Sequence, residues 1–221
     1  RVVELLHSAG ILAKRGDSFR IVPDLLAEFI VEDACVANGA STGHIEEIIP
    51  ECDERLLANL LLNVSKLDWR LSENDESQIQ IADSAWDKIK AIFENAPHRN
   101  VLMTAVADAA YFQPVRALKI FDQLRDRGFT HEKMGQLLRH VSMTLEYTSA
   151  AVKRLWELGC DDERGLESNF GQPHPFKILK DMAAIEPGKP IEYCERVTRF
   201  AMNLPKENRD NLLILYAQAG D

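Results

Sequence analysis

The feature that most constrains this chain is its punctuation by proline and glycine: amphipathic segments repeatedly open on proline and close on glycine. Proline stands at 23, 50, 97, 114, 175, 190 and 205, each ahead of an apolar pattern of helical period, and Gly128, Gly159 and Gly188 follow such patterns. Proline is tolerated in a first helical turn, where its missing N–H is not needed, and glycine readily takes the left-handed backbone that ends a helix. The punctuation predicts helices over 54–69, 79–94, 101–110, 114–127, 131–143, 147–158, 175–185, 190–203 and 205–217. An acidic linker is expected over 72–77, and no strand alternation competes after the first hairpin.

The front of the chain reads differently. Val2, Leu5, Leu6 and Ala9 share one helical face up to Gly10. Residues 11–22 then form two short branched and aromatic segments around Gly16-Asp17-Ser18, a hairpin signature. Pro23-Asp24 opens a helix from Leu25 to about Ala37. Helix, hairpin, helix is the order of the second half of a winged-helix domain. The expected fold class is mainly α: a partial winged helix with one β-hairpin over 1–38, then an α-helical, solenoid-like repeat scaffold over 39–221. Pro114-Val115-Arg116-Ala117-Leu118-Lys119 and Pro175-Phe176-Lys177-Ile178-Leu179-Lys180 repeat one pattern 61 positions apart, as stacked helical hairpins would. Any amphipathic helix with a proline start would share it. The chain starts at Arg1 inside a helical pattern, so it is expected to be part of something longer.

Composition narrows the partners. With 26 basic and 35 acidic residues the formal net charge is -9, which opposes broad nucleic-acid binding. The longest apolar run, Leu56 to Val64, is broken by Asn59 and Asn63, so no membrane span is expected. Cys35, Cys52, Cys160 and Cys194 form no CxxC pair, which favours a reducing cytoplasm over disulfides, with most of the four as small core residues.

No GxxxxGK[ST] run is present to wrap phosphates, and no GxGxxG for a dinucleotide. Histidines at 7, 44, 98, 131, 140 and 174 form no HExxH and no zinc spacing with cysteine. Ser41-Thr42-Gly43-His44 lacks a strand-to-helix elbow, and Ser41 or Thr42 is expected to cap a short helix containing Glu46 and Glu47. Glu46-Glu47 and Asp161-Asp162-Glu163 are adjacent rather than convergent and read as solvated charges near helix starts. No catalytic, cofactor or metal residue is assigned, and this fragment is not expected to be an enzyme. An all-helical enzyme whose site is assembled from remote residues is the remaining rival.

Two places suit interaction. Lys14, Arg15 and Arg20 concentrate positive charge on the hairpin, where a wing touches a DNA backbone. The bland reading, favoured by the net charge, is that they keep an exposed hairpin soluble. Tyr111-Phe112 precede Gln113-Pro114 in a loop between helices, where the aromatic pair fixes a bend or contacts a ligand.

Leu5-Leu6-His7-Ser8-Ala9-Gly10-Ile11-Leu12 through Phe19-Arg20-Ile21-Val22-Pro23-Asp24-Leu25-Leu26-Ala27-Glu28-Phe29 resemble the end of the winged helix that follows the ATPase core in bacterial STAND (signal-transducing, NACHT-like) NTPases. Residues 109–118 (AAYFQPVRAL), 150–159 (AAVKRLWELG) and 174–179 (HPFKIL), with Lys189-Pro190, are similar to the helical repeats in the C-terminal half of such proteins. The resemblance implies a multidomain switch in which ATP and magnesium bind a core outside this fragment. The helical array would bind a protein partner and couple it to that intramolecular core and to oligomerisation, often in antiviral defence. It also implies that the winged helix packs on the nucleotide domain instead of DNA. The alternative is a winged-helix DNA-binding transcriptional regulator with a helical sensing domain.

Overall fold

A computed structural model describes residues 2–8, 11–15, 18–21, 24–38, 40–73, 80–164 and 173–203. The chain divides into two compact units, 1–89 and 90–221, and the division falls within one helix. The architecture is mainly helical with two small antiparallel strand pairs among the described residues.

In the first unit α1 (Val2–Ser8) leads into β1 (Leu12–Arg15) and β2 (Ser18–Ile21), paired from Leu12↔Ile21 to Arg15↔Ser18. α2 (Asp24–Cys35) follows, so the expected helix, hairpin, helix order is present. The helix does not run on to Ala37 as expected. β3 (Val36–Ala37) and β4 (Ala40–Ser41) form a second hairpin, correcting the expectation that strands end with the first. The reason is Asn38-Gly39: Asn38 takes a left-handed φ of 53°, as two-residue hairpin turns require.

Thr42 then links both sides of this turn. Its Oγ1 donates to the Ala34 carbonyl at 2.6 Å and accepts from the His44 N–H at 3.3 Å, at the start of α3 (His44–Ile48). The capping expected of Ser41 or Thr42 is therefore shared: the formal cap is Gly43, whose N–H lies 3.3 Å from the Ser41 hydroxyl. Glu46 and Glu47 occupy the first turn of α3, where they complement its dipole. A 3-10 turn over Ile49–Glu51 leads to Asp53, whose carboxylate accepts the Leu56 N–H at 2.7 Å and starts α4 (Glu54–Glu73).

α4 is longer than the punctuation predicts. Ser72 and Glu73, expected in the linker, form its last turn, with the Ser72 hydroxyl bonded to the Trp69 carbonyl at 2.7 Å. Leu57, Leu61, Val64, Leu67 and Leu71 make a buried stripe along it. Facing residues come from Ile81, Ala82, Ala85, Trp86 and Ile89, at and within α5 (Asp83–Asn95). Two polar groups are built into this core. The Trp86 indole N–H donates to the Ser65 hydroxyl at 3.0 Å, and Asp68, 6% exposed, accepts the Ile81 N–H at 2.8 Å. Asp68 thus satisfies an amide that would otherwise be stranded before the first turn of α5.

The second unit carries α6 (Asn100–Ala109), α7 (Pro114–Asp126), α8 (Met134–Ser142), α9 (Thr148–Cys160), α10 (Pro175–Ala183) and α11 (Ile191–Met202). Proline occupies the first turn of α7 and α10, as expected. α6 and α7 pack on α8, α8 on α9, α9 on α10, and α11 on both α9 and α10. Leu102, Val106, Phe121, Leu137, Leu138, Leu155, Ile178 and Val197 lie in their shared interior. The bidentate pair from Arg154 to Asp122, with both contacts at 2.7 Å, ties α9 to α7. The helix expected over 205–217 lies outside the described residues. No helix among the described residues is long and apolar enough to cross a membrane.

The three punctuating glycines separate into two kinds. Gly128 (φ 74°) and Gly188 (φ 88°) hold the left-handed backbone expected at helix ends, with open space beside them. Gly159 corrects its expectation, because it lies inside α9 where α10 presses on it: a Cβ there would sit 2.5 Å from Cε1 of Phe176. Gly135 in α8 is equivalent, with Cδ1 of Ile178 at 2.5 Å from its notional Cβ. Gly159→Ala is expected to cost about 1–3 kcal/mol through overpacking, and Gly128→Ala about 1–2 kcal/mol through backbone strain. In urea titrations, Phe176→Leu should reduce the penalty of the first substitution and leave that of the second unchanged.

Candidate functional site

Lys14 and Arg15 lie on β1 and Arg20 on β2, so one hairpin of the first unit holds the three basic residues singled out from sequence. Tyr111 and Phe112 belong to the second unit, in the turn between α6 and α7. The N–H groups of Phe112 and Gln113 both donate to the Ala109 carbonyl at 3.0 Å, closing α6. Gln113 then accepts from Arg116 at 2.6 Å at the start of α7. Within this short turn the two rings meet edge to face, 5.1 Å between centroids at 88°. That contact rigidifies the bend while Tyr111 stays 44% exposed, so the bend-fixing and ligand-contact readings are compatible in one geometry.

A cleft of about 420 Å³ lies between the end of α9 and the start of α10, lined by Thr130, His131, Glu132, Asp161, Asp162 and Arg164 together with Leu158 and Pro175. The acidic run there was expected to be solvated and near a helix start. It follows the end of α9, where the helix dipole disfavours negative charge, and arginines compensate. Arg125 meets Asp161 at 2.5 Å, and Arg164 grips both oxygens of Asp162 at 2.6 and 2.9 Å. Asp162 is largely buried, and the Arg164 hydrogen bond holds its carboxyl below the ordinary carboxylate range.

His174 completes this cluster from the start of α10. It is 3% exposed, and its Nδ1 accepts the Phe176 N–H at 3.2 Å, which leaves the proton on Nε2. Nε2 lies 3.8 Å from the Asp162 carboxylate and 3.5 Å from its carbonyl. Burial lowers the His174 pKa, against the opposing pull of Asp162, so the neutral ring is preferred. Asp162, Arg164 and His174 therefore clasp the two ends of the segment joining α9 to α10. Sequence reading missed this clasp, although Asp162, Arg164 and the His174-Pro175 pair bracketing one interhelix segment are the signal it left.

The cleft offers little freedom for proton transfer. His131 accepts the Lys133 N–H through Nδ1 at 3.0 Å, so Nε2 donates to Asn100 at 2.9 Å, and burial lowers its pKa. Cys160 is exposed beside Asp161, but partial desolvation and then the Asp161 and Glu157 charges push its thiol up, away from the reactive thiolate. Cys35 and Cys52 are raised by burial as well, and all four cysteines are free. Among the described residues no group of three or more His, Cys, Asp or Glu side chains converges to hold a metal ion.

The chain matches no protein-family model, no curated protein and no solved structure.

The clasp makes stability depend on pH in two steps. The unfolded chain takes up a proton at His174 near its ordinary 6.5 while the folded chain resists, so stability falls as pH drops below about 6.5 until the lower folded value is passed. The Asp162 contribution is complete above the ordinary 3.8 and is lost as pH falls through its lower folded value. Urea midpoints from pH 8 to pH 3 are expected to show both losses, and Asp162→Asn should abolish the second while costing about 1–3 kcal/mol at neutral pH.

Proposed function

We propose that this chain is a non-catalytic interaction scaffold: a helical array that binds a protein partner through the α6–α7 corner. The observation that carries this reading is the edge-to-face Tyr111–Phe112 pair on a turn braced by hydrogen bonds at both ends, with Tyr111 44% exposed on the turn and Val115 42% exposed at the start of α7. Rigid aromatic side chains expose large contact area with little rotamer entropy to lose, and they dominate the energetics of protein interfaces. Helices stacked on one another also suit a scaffold, because each buries a face against its neighbours and leaves turns free to contact others.

At the finer level we read residues 1–38 as the end of a winged helix and 39–221 as solenoid-like repeats of a STAND-type signalling ATPase acting in the cytoplasm. Partner binding would then be coupled to an ATP- and magnesium-binding core elsewhere in the parent chain, to oligomerisation, and to an output such as antiviral defence. This level is supported by the sequence resemblance and by the α1, β1–β2, α2 order at the front.

The encoding reading frame should contain GxxxxGK[ST] upstream, within about 300 residues, room for one or two domains. Its absence would remove the ATPase reading and leave the scaffold. In the parent protein Tyr111→Ser/Phe112→Ser is expected to weaken partner-triggered ATP hydrolysis at least about tenfold, near the cost of one interface hot spot. Unchanged triggering with these substitutions would refute the corner as the binding site. Salt-dependent duplex binding lost on Lys14→Glu/Arg15→Glu/Arg20→Glu would instead favour the DNA-regulator reading.

A further inference from the structure

In the second unit an open groove of about 670 Å³ runs between the end of α5 and α7, lined by Lys90 and Glu94 on α5 and by Lys119, Asp122, Gln123 and Asp126 on α7, with Arg127 at its end. Its six charges divide evenly in sign. Two already have partners: Arg127 donates to the Phe93 carbonyl at 3.2 Å, and Asp122 holds Arg154. Lys90, Glu94, Lys119 and Asp126 are exposed and form no ion pair among the described residues. The Gln123 carboxamide stands apart from these. Its Nε2 and Oε1 are both buried, and neither has a hydrogen-bond partner. A buried donor or acceptor left unpaired is costly, and folded proteins keep few of them. An apolar side chain would fill the same place without that cost.

We propose that this groove binds an extended peptide segment of a partner protein, with acidic and basic residues alternating on one of its faces and its backbone paired to Gln123. The hydrogen-bonding chemistry of the carboxamide selects this occupant. An anion would satisfy only Nε2 and a cation only Oε1. A residue in an extended strand presents its N–H and C=O on the same side and exchanges both bonds with one partner, which meets donor and acceptor together. Because the carboxamide makes no hydrogen bond where it lies, turning it toward the peptide breaks none. The charges supply a register. Lys90 and Glu94, one helical turn apart, are separated by about 6 Å along α5. Alternate residues of a strand are about 6.6 Å apart, so an acidic residue opposite Lys90 places a basic residue two positions away opposite Glu94. From Lys119 to Arg127 the α7 wall is roughly 12 Å long, the span of about four extended residues. Single-stranded nucleic acid fits less well, because Glu94 and Asp126 would face its phosphates. This groove is a different surface from the α6–α7 corner, and the inference stands whether or not that corner binds a partner.

Titration of the full chain with the capped peptide ETKTETK, whose threonines favour a strand, tests the proposal by nuclear magnetic resonance. At millimolar peptide the Gln123 side-chain amide and the backbone amides of residues 90–95 and 119–127 are expected to shift together and to saturate. Gln123→Leu removes the orphaned amide, so its urea midpoint should be equal or higher, while peptide affinity read from residues 90–95 falls at least about fivefold. Unmoved Gln123 resonances would overturn the proposal and leave the amide to water alone. Shifts that persist with equal affinity in Gln123→Leu would overturn it too. So would an oligothymidylate that moves the same resonances while the peptide does not, which would assign the groove to nucleic acid.

Discussion

The close approach of α10 to two neighbouring helices is the contact on which the second unit depends. Phe176 and Ile178, two positions apart near the start of α10, press on Gly159 of α9 and Gly135 of α8. Neither glycine is there for its backbone freedom. Each removes a side chain so that an aromatic ring or a methyl group can take the space, which sets how closely three helices approach. Phe176 also meets Trp156 at 4.6 Å between centroids with the rings tilted by 33°, so one residue of α10 contacts α9 at two positions. The start of α10 must therefore be placed accurately. Pro175 in its first turn and His174, capping the Phe176 amide, provide that placement.

Polar groups at helix ends extend the same logic. The Asp162–Arg164–His174 cluster and the Arg125–Asp161 pair join the residues just after α9 to the start of α10 and to the last turn of α7. Farther along, Thr148 bonds the Ser142 carbonyl at 2.9 Å, while Ser142 meets Tyr193. Burial raises the Tyr193 hydroxyl pKa, keeping it a neutral partner for Ser142. These interactions join helix ends and the residues beside them. Their effect is to tie the described ends of the helices to one another, the property an interaction scaffold needs at its corners.

In the first unit Asp68 has the corresponding role. A buried carboxylate is costly unless it is satisfied, and here it meets the amides of Ile81 and Ala82 just before α5. Nothing local marks Asp68 as different from other acidic residues on an amphipathic helix. Asn38-Gly39 is a strong short-range hairpin signal, but the helical rhythm of the preceding residues hid it and no second hairpin was expected there. The Tyr111–Phe112 turn was visible as an interruption before a proline, but the edge-to-face geometry that leaves one ring exposed was not.

The amino-acid sequence by itself determined the mainly helical class, the first hairpin and the approximate helix limits in the second unit. Those follow from local rules: proline's fixed φ and missing donor, and the period of the apolar residues. It also determined that the chain carries excess negative charge. Only tertiary structure decided that Gly159 is a packing site instead of a helix stop, that Asp162 is gripped instead of solvated, and that a polar groove lies between the end of α5 and α7. Each of these depends on residues from separate helices coming within a few ångströms of one another. Local periodicity records which face of a helix is apolar, but not which neighbour that face meets or how closely.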